Sequence, residues 1–303
     1  MSARDSSGLL IAGTLLAALL AAPSLALEPA EGRAQSAPQA QAPDDAGPRP
    51  QAQPNPKPAI PQPNPEALHP DLEMGVIYIG RGQFEHARFV VVDHIERLGD
   101  SGKAQFVLGL AFHKEKRYEL ARPHFEKAIR LDPDYPHTQY FYGYCLFYLG
   151  ELHKARLAFQ AHQKKKPDWA DSFFGLGLID LEENELDAAE TNFRKSIELN
   201  EKQFEQNPQK LALREDIAKG YTRLSDVMLS RDQLKEAREA LEKATSLWPD
   251  HYEAWHKLSR VLYRLGDDEA AAAAEKKHDE IRERLHPAPK PPATPGSSGE
   301  ENS

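Results

Sequence analysis

The sequence has 303 residues, with 38 Lys and Arg against 47 Asp and Glu and a net charge of −9. An acidic balance without a basic cluster interleaved with aromatics argues against nucleic acid as a ligand, because phosphate recognition needs a basic footprint. The single cysteine, Cys145, excludes an intrachain disulfide and a cysteine-based zinc site.

Residues 1–7 are short and polar and carry Arg4. Residues 8–22 are apolar and uncharged, Pro23 interrupts them, and Ser24-Leu25-Ala26 places small residues where a signal peptidase reads. A charged start, an apolar run and a small exit predict an export signal over residues 1–26, cleaved after Ala26. The alternative is an uncleaved anchor, because residues 8–27 approach the roughly 20 residues that span a bilayer. Export predicts a periplasmic protein if the source is a Gram-negative bacterium. Contact with the membrane is expected only if the segment stays uncleaved.

Residues 27–67 form a linker rich in Pro, Ala and Gln, as in Pro54-Asn55-Pro56-Lys57-Pro58. A segment that buries so little apolar surface is expected to be disordered, with polyproline II character. At about 3.1 Å per residue it reaches on the order of 100 Å. Residues 287–303 read as a shorter tail of the same kind.

Between these ends a seven-residue signature recurs. It reads Arg81-Gly82-Gln83-Phe84-Glu85-His86-Ala87 in the first copy and Leu149-Gly150-Glu151-Leu152-His153-Lys154-Ala155 in the third. The closing alanines Ala87, Ala121, Ala155, Ala189, Ala237 and Ala271 are 34 residues apart at every step except the fourth, which is 48. Twelve residues before each alanine sits Gly75, Gly109, Gly143, Gly177, Ser225 or Ser259, and four after it Val91, Phe125, Phe159, Phe193, Leu241 or Glu275. Pro133, Pro167 and Pro249 follow at a fixed distance, each trailed by an Asp (Asp134, Asp168, Asp250) that is expected to cap the next helix.

The physical logic is a helical hairpin. The small residue and the alanine allow close approach, the large residue fills the remaining gap, and Pro ends the second helix. One hairpin cannot bury its apolar face alone, so copies stack. Period and positions together resemble the tetratricopeptide repeat over residues 68–285. The resemblance implies an all-α, right-handed solenoid of six helix-turn-helix repeats, at 68–101, 102–135, 136–169, 170–217, 218–251 and 252–286. The long step adds 14 residues, roughly four helical turns. It predicts a second helix of repeat four running to about Gln206, a turn at Asn207-Pro208, and a long first helix of repeat five that together project from the solenoid. Glu275, His278 and Arg282 make the last helix polar, as a cap should be.

The resemblance further implies a concave groove lined by first-helix positions 2, 5, 9, 12 and 13. In repeats two to four these positions include Phe106, Leu110, Tyr140, Tyr144, Phe147, Tyr148, Phe174 and Leu178, an aromatic stripe large enough to invite a partner polypeptide. Repeat four adds Asp171, Leu181 and Glu182, and repeat five Lys219, Thr222, Asp226, Leu229 and Ser230. The alternative is that curvature packs the aromatics against each other. No catalytic motif is found, and the histidines show no metal-ligand spacing on one helical face. The chain is therefore read as a non-enzymatic interaction scaffold of the cell envelope, with no cofactor, metal or small-molecule substrate. The alternative role is self-association or an accessory subunit of an envelope complex.

Overall fold

The computed structural model describes residues 67–285. The export signal, most of the linker and the C-terminal tail fall outside the described residues. Among those described there are twelve α-helices and no strand, and the helices pair into six hairpins. The first three pairs are α1 (Pro70–Gly80) with α2 (Phe84–Leu98), α3 (Gly102–Lys114) with α4 (Tyr118–Leu131), and α5 (Pro136–Tyr148) with α6 (Leu152–Lys165). The last three are α7 (Ala170–Glu182) with α8 (Leu186–Gln206), α9 (Leu211–Ser230) with α10 (Leu234–Leu247), and α11 (Tyr252–Leu265) with α12 (Asp268–Leu285). Each helix packs on its hairpin partner and on the next hairpin, and first helices also touch one another from α1 through α9. No helix among the described residues is long and apolar enough to cross a membrane.

Every hairpin turns on one residue in the left-handed region: Gly82, Lys116, Gly150, Asn184, Asp232 or Gly266, with φ between 58° and 79°. The next backbone N–H then donates five residues back, as Gln83 does to the Tyr78 carbonyl and Asp267 to the Leu262 carbonyl. This closes the first helix in a Schellman motif and satisfies one of its last carbonyls. Close approach follows from the small residues. A Cβ on Gly109 would lie 2.7 Å from the Phe125 ring, and one on Gly177 2.7 Å from Phe193. All six repeat alanines are fully buried.

The second helices of hairpins two, three and five end at Leu131, Lys165 and Leu247. Their C-caps Asp132, Lys166 and Trp248 take φ of −142°, −133° and −131°. Proline at the following position disfavours helical backbone there. The expected aspartate caps are displaced by one residue. The N-caps are Tyr135, Trp169 and His251, and none makes a side-chain cap bond. The Pro-Asp pair occupies the middle of a four-residue turn closed by the next N–H, as where Trp169 donates to the Lys166 carbonyl at 3.1 Å. Asp134 therefore falls one place early, and Asp132 supplies the carboxylate that accepts from the Tyr135 N–H at 3.1 Å.

The long step is divided between two helices. α8 has 21 residues and α9 has 20, against 14 in α6 and 13 in α7. Seven residues are close to two turns, so the added length keeps the apolar stripe in phase. α8 ends at Gln206, and Asn207 leaves the helical region at φ −138° and ψ 68°, as a following proline favours. The two lengthened helices stay packed along each other. Ile197, Leu199, Leu213 and Ile217 are buried, and a Cβ on Gly220 would lie 2.6 Å from Ile197. Apolar side chains on the inner faces of α8 and α9 zip the extension together, which leaves exposed residues at its tip. At the far end, α12 buries only Ala271, Ala274 and Ile281.

Core side chains form one cluster from Leu68 to Ile179 and a second from Ile197 to Ala274. A small cluster of Phe174, Ala189, Phe193 and Val227 lies between them.

Candidate functional site

The first helices form one side of the solenoid, and the expected groove residues divide there into two groups. Phe106, Leu110, Tyr140, Tyr144 and Phe174 are buried, whereas Phe147, Tyr148 and Leu178 are half-buried. The buried group is tied into the core by ring contacts. Tyr140 meets Tyr144 edge-on at 5.1 Å, and Tyr144 meets Phe159 edge-on at 4.9 Å. Phe106 lies 5.2 Å from Tyr135 and 5.7 Å from Phe141, and Phe174 lies 5.6 Å from Phe193. Two glycines make room for this. A Cβ on Gly175 would lie 2.5 Å from the Phe159 ring and one on Gly143 2.9 Å, so the ring sinks between α5 and α7 and Tyr144 rests on it.

Polar groups share this interior. Burial, then the carboxyl of Asp171, pushes the Tyr144 hydroxyl well above its usual range. Burial pulls the His113 imidazole down to about 3, and neither of its nitrogens has a hydrogen-bond partner. The ring is held instead by edge contacts to Tyr118 at 5.3 Å and Phe141 at 5.8 Å.

A charged floor adjoins the aromatics, and the extension builds part of it. Asp171, Phe174, Ser196, Asn200, Asp216 and Lys219 line one narrow crevice. Trp169 Nε1 donates to Asp171 at 2.7 Å, and Lys219 Nζ to Asp216 at 2.8 Å. Burial, reinforced by the negative charge of Asp216, pushes the Asp171 carboxyl up. Lys114 enters the same region from α3, and burial, with Lys219 nearby, pulls it down to about 8. Further along, Arg223 pairs with Asp226 and Glu253, each at 3.0 Å. Lys257 pairs with the same two acids at 2.6 and 3.1 Å. Burial opposes ionisation of Glu253, but the two cations more than offset it and hold its carboxyl below the usual range.

Beside this network lies an open cleft of about 490 Å³ lined by Leu181, Glu182, Asp226, Leu229 and Ser230. All five stand at first-helix positions that the repeat resemblance assigns to the groove. Leu181 and Leu229 are half-buried, like Phe147, Tyr148 and Leu178. Half-buried apolar side chains therefore stand on the first helices α5, α7 and α9, and in the cleft between the last two Leu181 and Leu229 share the wall with Glu182, Asp226 and Ser230. Sequence reasoning gave the eight chosen residues equal weight. The structure separates them by depth, and it leaves Leu181 and Leu229, named among the other groove positions, half-buried as well.

The arrangement suits side-chain docking. His162 Nδ1 lies 2.5 Å from Ser172 Oγ, but both residues are fully buried, so no substrate reaches that pair.

Three tetratricopeptide-repeat family models match, one each at residues 102–135, 170–203 and 223–284. Among curated proteins, none matches the sequence. Among solved structures, a chain of the APC/C hetero-tetramer Cut9-Hcn1 superposes with a TM-score of 0.60 at 16% identity, over 70% of this chain and 39% of that one. PilF of Pseudomonas aeruginosa gives 0.54 at 19%, over 72% and 91% of the two chains. BtubC from P. vanneervenii gives 0.52 at 16%, over 77% and 98%. Identity this low speaks to the fold alone. With the signature in phase through six stacked hairpins and family models matched in three stretches, the chain is a tetratricopeptide-repeat protein.

Proposed function

We propose that this protein is a non-enzymatic scaffold that holds a partner polypeptide against its concave face. The supporting observation is that Leu181 and Leu229, both half-buried, line an open cleft of about 490 Å³, while Phe147, Tyr148 and Leu178 stand half-buried on the first helices α5 and α7. Half-buried apolar side chains on a concave wall gain further burial only when a ligand covers them. An apolar segment gains on the order of 25 cal/mol for each Å² so removed from water. The charged residues of the cleft wall orient such a segment without adding much affinity. The repeat fold is one that commonly serves as an interaction scaffold, and an apolar groove is the usual place for an amphipathic segment to lie.

We further propose that the scaffold works in the cell envelope, on the strength of the export signal read in residues 1–26. The test is a photo-crosslinking side chain at Phe147 in full-length protein in its native cell, with adducts identified by mass spectrometry. A discrete partner protein, lost when Leu181 and Leu229 are both replaced by Asp in a still-helical protein, is the expected result. Adducts confined to this chain's own residues would overturn the scaffold reading.

A further inference from the structure

The N-terminal hairpin gathers three metal-ligating side chains that no sequence spacing announces. His69 caps α1, Asp71 lies in its first turn, and His94 comes from α2. One donor atom from each lies within 4.8 Å of the other two. His69 Nδ1 is 3.3 Å and His94 Nδ1 3.2 Å from Asp71 Oδ2. We propose that His69, Asp71 and His94 form a site for one divalent transition-metal ion of the zinc class.

The donor set comes first. Two imidazoles and one carboxylate are borderline ligands, which favour zinc and its neighbours over calcium or magnesium. Geometry comes next. Tetrahedral bonds of about 2.0–2.1 Å place donor atoms roughly 3.3–3.4 Å apart. Two edges of the triangle already have that length. The third closes by movement of His69, whose side chain is 47% exposed and leaves its cap bond to turn. His94 is only 5% exposed, so one wall of the site is fixed in advance. Because His69 and Asp71 are open to solvent, water can fill the remaining position.

Two features oppose a cation. Arg97 donates to Asp71 Oδ2 at 2.8 Å, and the positive end of α1 lies beside the site. Arg97 also donates to Asp93 at 2.8 Å and is itself half-exposed, so it keeps one carboxylate when the ion takes the other. His69 gives up the bond in which its Nδ1 accepts from the Asp71 N–H at 3.2 Å. These costs set the expected affinity in the micromolar range rather than the nanomolar range of a dedicated cage. The bound ion would clip the chain entering the solenoid to the second helix of the first hairpin, at the end where no earlier repeat among the described residues supports it.

The test uses full-length protein stripped with EDTA and titrated with zinc chloride at pH 7.5, followed by calorimetry and by thermal melting. His69→Ala and Asp71→Asn are compared with the wild type and with His256→Ala, which removes a histidine at the other end of the solenoid. The expected result is one saturable site and a zinc-dependent rise in Tm. Either ligand substitution should weaken binding about tenfold or more, the loss typical even of groups that only support metal ligands. His256→Ala should leave binding unchanged. No saturation at millimolar zinc, or binding that survives either ligand substitution, would overturn the proposal. Neither substituted group is part of the core, so loss of folding does not confuse the outcome.

Discussion

Glu190 and Arg231 pair across the junction of the fourth and fifth hairpins with their charges exchanged relative to the other junctions. Elsewhere an arginine directly after the repeat alanine reaches an acid in the next hairpin turn. Arg88 meets Glu115 at 2.6 Å, Arg122 meets Glu151 at 2.7 Å and Arg156 meets Glu183 at 2.5 Å. Arg238 approaches Asp267 at 3.9 Å. At the long hairpin the acid stands in the arginine's place and the arginine in the acid's. Both side chains are less than a quarter exposed, so the pair is partly shielded from solvent. Glu190→Arg should destabilise the protein by about 1 kcal/mol, and adding Arg231→Glu should recover most of that. Urea unfolding of the four proteins gives the coupling; additive effects would show that the exchange carries no energy.

Acid should loosen the second hairpin through His113. Its folded pKa is depressed from 6.5 to about 3, by burial first and by the charge of Lys114 second. Between those values the unfolded chain binds a proton that the folded chain refuses, so stability falls as the pH drops below 6.5. Between pH 7 and pH 5 the loss from a fully buried imidazole is about 2 kcal/mol. His113→Leu should remove about that much of the difference in unfolding free energy between the two pH values. An unchanged pH dependence would mean that the ring is not shut away.

The six turns differ in backbone strain. Lys116 sits at φ 62° and is the only one of the left-handed turn residues that is not Gly, Asn or Asp. Lys116→Gly should stabilise the chain by about 0.5–1 kcal/mol, the left-handed cost less the added freedom of glycine when unfolded. Gly150→Ala should cost about 1 kcal/mol, because nothing lies within 4 Å of the added Cβ and only the backbone is strained. Chemical denaturation midpoints moving in opposite directions would support this; a neutral Gly150→Ala would contradict it.

Cys145 should be inert in the native protein. It is fully buried, its Sγ donates to the Tyr118 carbonyl at 3.2 Å, and burial pushes the thiol up to about 12. An aromatic disulfide reagent at pH 8 should label it only after denaturant is added. Fast labelling without denaturant would reveal local opening of α5.

The hairpins, their turns and the end of α8 at Gln206 were legible because each depends on spacing along the chain. A small residue, an alanine and a ring at fixed offsets state which faces meet. Depth was not legible, because helical phase gives the side of α5 on which Tyr140, Tyr144, Phe147 and Tyr148 lie but not how far neighbouring helices close over it. The available signal was Gly175, a second glycine on α7 facing the Phe159 ring. The return of Asp216 and Lys219 toward Asp171, and the meeting of His69 with His94, required knowing how separate helices pack. No one-dimensional period contains that.

Phe174, Ala189, Phe193 and Val227 are the narrow bridge between the two larger core clusters. The two blocks of core therefore meet along one line through the fourth hairpin, and Leu178 packs on both the first block and the bridge. The half-buried apolar side chains stand on both sides of that line, with Phe147 and Tyr148 on one side and Leu229 on the other. A ligand lying across them would act as a splint, stiffening the frame that holds it.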